Sequence, residues 1–222
     1  MIYLDYAATT PLDPEVQAAM QEVLPVYGNP SSVHEVGRKA RHLLEESRER
    51  VARALGCKPR EVILTSGGSE SDALAIYGLA LAKTPRKGHI VSSQLEHSAV
   101  LTAIKHLERL GIESTLLQPD PTGMIYPEQI LEALRPDTFL VSLMTINNEI
   151  GTVYPVRAVA ELCQSRGVLF HTDAVQAFGT VPSQFEDLGA DFISIVAHKF
   201  YGLKGVGALY VRKGIELFPL IP

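Results

Sequence analysis

Short apolar runs alternate with helix-like stretches along most of this chain, and few architectures accommodate that pattern. Strand candidates fall at Glu61–Leu64, His89–Ser92, Ser114–Leu117, Thr138–Met144, Val168–His171, Asp191–Val196 and Gly207–Val211. Helix candidates lie between most of them, at Ser69–Lys83, Ser98–Leu110, Pro127–Leu134 and Pro155–Arg166. Parallel strands need long crossover connections, which helices supply. The alternation therefore predicts an α/β domain, a mainly parallel sheet with helices on both faces. Only a short glycine-rich link separates the last two strand candidates, so they are expected to pair antiparallel and make the sheet mixed. With 222 residues, 46% of them hydrophobic, the chain can bury a substantial core.

Upstream of the alternation, residues 1–13 mix strand-like and turn residues and are expected to form an N-terminal arm, leaving 14–222 as one large domain. Asp13-Pro14 is a helix start, because Asp can cap and Pro suits the first helical position. That helix should run to about Leu24. Residues 28–34, GNPSSVH, read as a loop. Next comes a long amphipathic helix, His34–Leu55, with Val36, Ala40, Leu43, Leu44, Val51 and Leu55 at helical spacing and Gly56 as its C-cap. The net charge of −5, with no basic block, argues against a nucleic-acid partner. No apolar run approaches a membrane span, and the first residues lack the positive lead-in of a secretory signal. Cys57 and Cys163 lie far apart in sequence, so no disulfide framework is expected and a reducing cytoplasm fits.

Ligands of open α/β sheets bind beyond the carboxyl ends of the strands. The residues just past the strand candidates are Thr65-Ser66-Gly67-Gly68-Ser69-Glu70, then Gln94-Leu95-Glu96-His97, Asn147-Asn148-Glu149, Asp173 with Gln176, and His198-Lys199. Five strand ends thus carry polar or ionisable groups that are expected to converge on one crevice. Gly67-Gly68-Ser69 opens a helix, where free N–H groups and the helix dipole favour a phosphate. Ser69 could equally cap that helix, with Glu70 and Asp72 suiting its first turn. Neither a G-x-x-x-x-G-K-[ST] loop nor a G-x-S-x-G elbow occurs. Asp173, at the end of an apolar strand, is costly if ionised and unpaired; a protonated ring nitrogen would pair with it, and Gln176 is within reach of the same ligand. His97 can exchange protons or lie flat on an aromatic ring. In the stretch AHKFYGLKGVG, partial burial of Lys199 would lower its pKa from about 10.4 and free its amine to bond an aldehyde. The plainer possibility is that Lys199 and Lys204 decorate a solvated loop. No histidine pair has metal-ligand spacing and no CxxC occurs, so no metal site is expected.

A phosphate cradle, a carboxylate for a pyridinium, a histidine for stacking and a lysine for an aldehyde together specify pyridoxal 5′-phosphate (PLP). The stretches YLDYAATTP, GNPSSVH, TSGGSESDA, EHSAV, NNEIG, HTDAVQ and AHKFYGLKGVGALYVR resemble, in order, those of cysteine desulfurases, within the class V aminotransferase group of fold-type-I PLP enzymes. The resemblance implies the large domain of that fold. It also implies an activity: removal of sulfur from L-cysteine to give L-alanine and a persulfide for iron–sulfur cluster or thio-cofactor assembly. Lys199 would hold PLP covalently and move the substrate α-proton, with His97 stacking on the ring and sharing in proton exchange. Asp173 would pair with the ring nitrogen, Gln176 and Asn148 would lie near the phenolic oxygen and the substrate, and Gly68, Ser69 and His198 would hold the phosphate. Asn29, Ser31 and His34 would line the site mouth or a dimer seam. A homodimer and a sulfur-accepting scaffold protein are the partners implied.

Two residues depart from the family pattern: Val196 stands where a serine is usual, at the loss of one phosphate hydroxyl, and Ala73 where many relatives have asparagine. The family's cysteine nucleophile and its arginine for the substrate carboxylate lie in the C-terminal part. Cys57 and Cys163 do not match the nucleophile's motif. Both groups, and the small C-terminal domain, are therefore expected to be missing here, with Ile215–Pro222 left without a packing partner. The alternatives are a selenocysteine lyase or aminotransferase of the same class, a non-catalytic PLP-binding remnant, and a nucleotide-binding module. The absence of a Rossmann glycine pattern at the first strand counts against the last.

Overall fold

The computed structural model describes residues 2–82, 87–181 and 185–221; the expected helix end at Lys83, and Met1 and Pro222, lie outside them. In chain order the elements are α1 (Pro14–Val23), α2 (Glu35–Leu55), β1 (Val62–Thr65), α3 (Gly68–Ala82), β2 (His89–Ser93), α4 (Ser98–Glu108) and β3 (Glu113–Leu117). Then come α5 (Pro127–Ala133), β4 (Thr138–Ser142), α6 (Val156–Arg166), β5 (Leu169–Asp173), β6 (Phe192–Val196) and β7 (Gly207–Val211). The strands form one seven-stranded sheet in the order β1-β7-β6-β5-β4-β2-β3. β7 runs antiparallel to both β6 and β1, and every other pairing is parallel, so the sheet is mixed as expected.

Alternation along each strand sends successive side chains to opposite faces. On one face α3 and α4 bring Leu74, Ile76, Leu79, Val100, Ile104 and Leu107 against Ile90, Leu140, Phe192 and Leu209. On the other, α2, α5 and α6 bring Leu55, Ile130, Val156 and Val159 against Val91, Val141, Phe170, Ile193 and Ile195. α3 is apolar on nearly every side after its first turn, which suits a helix wedged into the core. α1 is the opposite case and buries no residue, although Asp13 caps it as expected by accepting from the Glu15 N–H at 2.7 Å. Most of α2 also stays in water, with only Gly37, Ala52 and Leu55 buried. Gly56 closes α2 in the left-handed region at φ 71°.

Two strands end two residues away from the sequence expectation, and both differences bear on the site. β5 runs on to Asp173, because Ala174 N–H bonds the Ser194 carbonyl and keeps the segment against β6. β4 ends at Ser142 rather than Met144, yet Leu143 and Thr145 still donate to the His171 and Asp173 carbonyls, so the chain passes the end of β5 before turning. Among the described residues no helix is long and apolar enough to cross a membrane.

Candidate active site

A cavity of about 460 Å³ opens at the carboxyl ends of the parallel strands, a size typical of cofactor pockets. Gly68, Ser69, His97, Asn148, Asp173, Gln176, His198 and Lys199 all line it. Five separate connections, far apart in sequence, deliver those eight side chains and backbone positions to one place.

The turn from β1 into α3 packs backbone on backbone. A Cβ on Gly207 would meet Gly67 Cα at 2.7 Å, and one on Gly68 would come within 2.9 Å of Val175 Cγ2. Glycine is therefore required for α3 to begin where it does, with the N–H groups of its first turn lacking helical partners beside the cavity. The helix starts at Gly68, so Ser69 lies inside the first turn and is not the N-cap that one of the two readings assigned. Glu70 folds back to accept from the Ser66 N–H at 2.7 Å. Val196, buried, packs over the same turn and lines the cavity with an apolar surface.

His97 caps α4 by accepting from the Ala99 N–H at 3.2 Å. Behind it Glu96 is buried; its Oε1 accepts from the Met144 N–H at 2.9 Å and its Oε2 has no partner. Burial pushes this carboxyl well above the usual range. Asn147 donates to the Leu95 carbonyl at 2.9 Å and accepts from the Glu149 and Ile150 N–H groups, a clamp that presents Asn148 and Glu149 to the cavity. Asp173 ends β5 with 6% of its surface exposed and Oδ1 accepting from the Val175 N–H at 2.9 Å. Burial raises it well above the carboxylate range; Asp72 pushes the same way and Lys199 opposes.

After β6 a tight turn, Ala197–Lys199, sets His198 and Lys199 at the cavity. Burial lowers the Lys199 pKa, against the pull of Asp173, Asp5 and Glu149. His198 is lowered too, by burial and by Lys199 and Lys204. The N-terminal arm lies across this turn. Lys199 Nζ donates to the Ala7 carbonyl and, at 2.9 Å, to that of Ala8, while Gln176 Nε2 donates to Ala7 at 3.0 Å. Thr10 N–H bonds the His198 carbonyl, and the Thr10 hydroxyl accepts from the N–H of Tyr201, which holds a left-handed φ of 67°.

Glu149, one of the strand-end residues expected at the crevice, lines the cavity, and so do Asp5, Ala7, Ala8 and Asp72, which sequence reasoning did not assign to the site. Asp72 was legible in principle, since an acid inside an otherwise apolar helix must be buried with a reason. Asn29, Ser31 and His34 are not brought to the cavity: Asn29 and His34 accept from the Ser31 and Gly37 N–H groups and shape the entry to α2. Neither cysteine lines the cavity, and burial raises their thiols to about 11 at Cys57 and about 12 at Cys163, so neither is a thiolate near neutrality. Among the described residues no cluster of three or more His, Cys, Asp or Glu could hold a metal ion.

A mixed sheet of this order, with a half-buried lysine and a buried aspartate at its carboxyl edge, defines the large domain of a fold-type-I PLP-dependent transferase. The family pattern described as aminotransferase class-V matches residues 2–219, and the chain belongs to that family. It is 50% identical over 221 residues to the cysteine desulfurase IscS of Dictyoglomus turgidum, covering 99% of this chain and 56% of that one. The IscS of Methanosarcina thermophila is 44% identical over 221 residues, covering 99% of this chain and 55% of its own length. Among solved structures, one described as SspA in complex with cysteine superposes with a TM-score of 0.96 at 41% identity, covering all of this chain and 65% of that one. A NifS-like protein gives 0.95 at 39% identity, covering 99% of this chain and 61% of that one. The chain spans about half the length of the curated relatives it matches.

The cofactor of this family is PLP, and the residues present fit it. A Cβ would fill the cradle at Gly68, the start of α3 offers N–H groups to a phosphate, and a buried Asp173 waits for a cation.

Proposed function

We propose that this chain is the cofactor-binding part of a PLP-dependent cysteine desulfurase, with 1–13 as an arm over the site and 14–222 as the large domain. One observation carries the reading: a lysine amine with a lowered pKa and a buried carboxylate share a cavity with a glycine-shaped helix start. In this reading Gly68, Ser69 and His198 bind the phosphate, and Asp173 holds the ring nitrogen with its proton. Gln176 and Asn148 orient the ring oxygen and the substrate, and His97 lies on the ring face. Lys199 Nζ would hold the aldehyde carbon, and its amine would carry the α-proton of L-cysteine. PLP supplies an electron sink for charge at that carbon. The products are L-alanine and a persulfide on a cysteine other than Cys57 and Cys163, both of which lie off the cavity.

A homodimer fits the apolar side chains that Ile2, Leu4, Leu24, Tyr27 and Val33 leave in water. Unpaired cysteines suit a cytoplasmic protein that hands sulfur to an acceptor, in the first instance an iron–sulfur scaffold. The test uses the intact protein loaded with PLP. Borohydride should fix a pyridoxyl group on Lys199, and cysteine with a reductant should yield alanine and sulfide in equal amounts. Lys199→Ala should lose the trapped group and roughly a thousandfold or more of the rate. A protein that fixes the group on Lys199 yet forms no alanine is not a desulfurase.

A further inference from the structure

Beneath the cavity, the sheet face covered by α3 and α4 carries a buried polar row. Two residues beyond Ile90, Leu140, Leu169 and Phe192 on that face stand Ser92, Ser142, His171 and Ser194, each at most 2% exposed. Ser92 Oγ donates to the Ser142 carbonyl at 2.9 Å. His171 joins the row through both ring nitrogens, Nδ1 to Ser142 Oγ at 2.8 Å and Nε2 to Ser194 Oγ at 3.0 Å. Every member has a partner.

Asp72 breaks the rule. It descends from the second turn of α3 onto His171, is 1% exposed, and its Oδ1 stands 3.5 Å from His171 Nε2 with no hydrogen bond of its own. A buried carboxylate oxygen left without a partner is costly, so a stabilising element must come from elsewhere. Asp72 also lines the cavity beside Asp173, and His171 and Asp173 point from the same face of β5. Asp173 is thus surrounded by Asp72 from α3, Glu96 and His97 from the start of α4, His171 on its own strand, and His198 and Lys199 after β6. Asp72 and Asp173 line the same cavity as Lys199, and that lysine loses its charge when its amine is bonded to an aldehyde carbon and deprotonated. With Asp72 beside it, Asp173 is then favoured as a carboxylate only when a cation is bound against it.

We propose that Asp72 is a positioning residue for the ring-nitrogen site: held against His171, it supplies a second negative charge behind Asp173, so that the cavity selects a heteroaromatic ring that carries a proton on nitrogen. This deepens the PLP reading and rests on it. Asp72 touches neither substrate nor reacting atoms. It acts through the field at Asp173, and the His171 row fixes where that field originates.

The test compares PLP with its carbocyclic analogue, in which C–H replaces the ring nitrogen, by equilibrium binding to the intact protein and to Asp72→Asn. The substitution keeps the shape of the side chain and removes its charge. PLP affinity should fall about tenfold, whereas affinity for the analogue, which has no nitrogen to protonate, should change less than about twofold. The pH midpoint of the visible absorption change of the Lys199-bound cofactor should also fall, because the missing charge favoured the protonated form. Equal loss for both ligands would mean a structural role only, and no loss for either would mean no role; both overturn the proposal. Should Asp72→Asn not fold, Asp72→Ser is read by the same ratio. Failure of the wild-type protein to fix PLP on Lys199 sinks the cofactor reading itself, a result distinct from wild-type loading with an unchanged ratio.

Discussion

The two faces of the central sheet part company near its carboxyl edge. On the face under α2, α5 and α6, Val91, Val141, Leu143, Phe170, Ile193 and Ile195 form one continuous apolar cluster, with Ser93 and Thr172 the buried polar residues at the ends of β2 and β5. On the face under α3 and α4 the apolar layer gives way to Ser92, Ser142, His171 and Ser194, and then to Asp173. Both faces are equally dry, but they are held together differently. Burial of apolar surface stabilises the first without direction, roughly in proportion to area. The second gains little from its polar groups unless each is paired, and loses heavily where one is not. The site is built on the second face because only directional groups can hold a charged ring in a set orientation.

This contrast can be broken from either side. Phe170→Ala, on the apolar face, should destabilise the fold most, by about 4 kcal/mol, since the ring is fully enclosed and its space cannot refill. Its cofactor affinity, measured under conditions where the variant remains folded, should be nearly unchanged. Ser142→Ala, on the polar face, removes few atoms yet leaves His171 Nδ1 without a partner; a cost of about 2 kcal/mol is expected. Urea denaturation reads both, and a Ser142→Ala cost below that of an ordinary surface change would mean the row is not held by its hydrogen bonds.

The smallest effect tests Glu96, the acid at the margin of the polar face. Burial raises its folded pKa well above 4.5, so well below that value the side chain is neutral both folded and unfolded and carries no penalty. As pH rises from 4.5 towards the folded pKa, the unfolded chain loses its proton first, and wild-type stability declines. Above the folded pKa the penalty is constant. Glu96→Gln keeps an acceptor for the Met144 N–H and removes the titration. It should match the wild type well below pH 4.5 and melt higher at pH 8, measured without cofactor. The same difference at both values would show that the carboxyl is not held neutral by the fold.

Much of the scaffold is legible in the sequence. The seven strands stand on apolar runs of four to seven residues, because a buried strand needs such a run whatever its neighbours. The eight residues read from the strand ends do share a cavity, because parallel strands necessarily present their carboxyl ends on one side. Local chemistry also suffices for the Asp13 cap and the Gly56 terminus. It misleads at Ser69, where a serine before an acidic turn resembles a cap; the close contact of Gly67 with Gly207 lets α3 begin one residue earlier.

What the chain alone determined is the alternation of elements and the chemistry at each strand end, both properties of near neighbours in sequence. Tertiary structure decided which distant groups meet. The Ala7 and Ala8 carbonyls reach Lys199 across 192 and 191 residues, and Asp72 descends onto His171 from a helix whose pattern shows no polar face. Such meetings depend on strand order and helix placement, which arise from the summed packing of both cores rather than from any local signal.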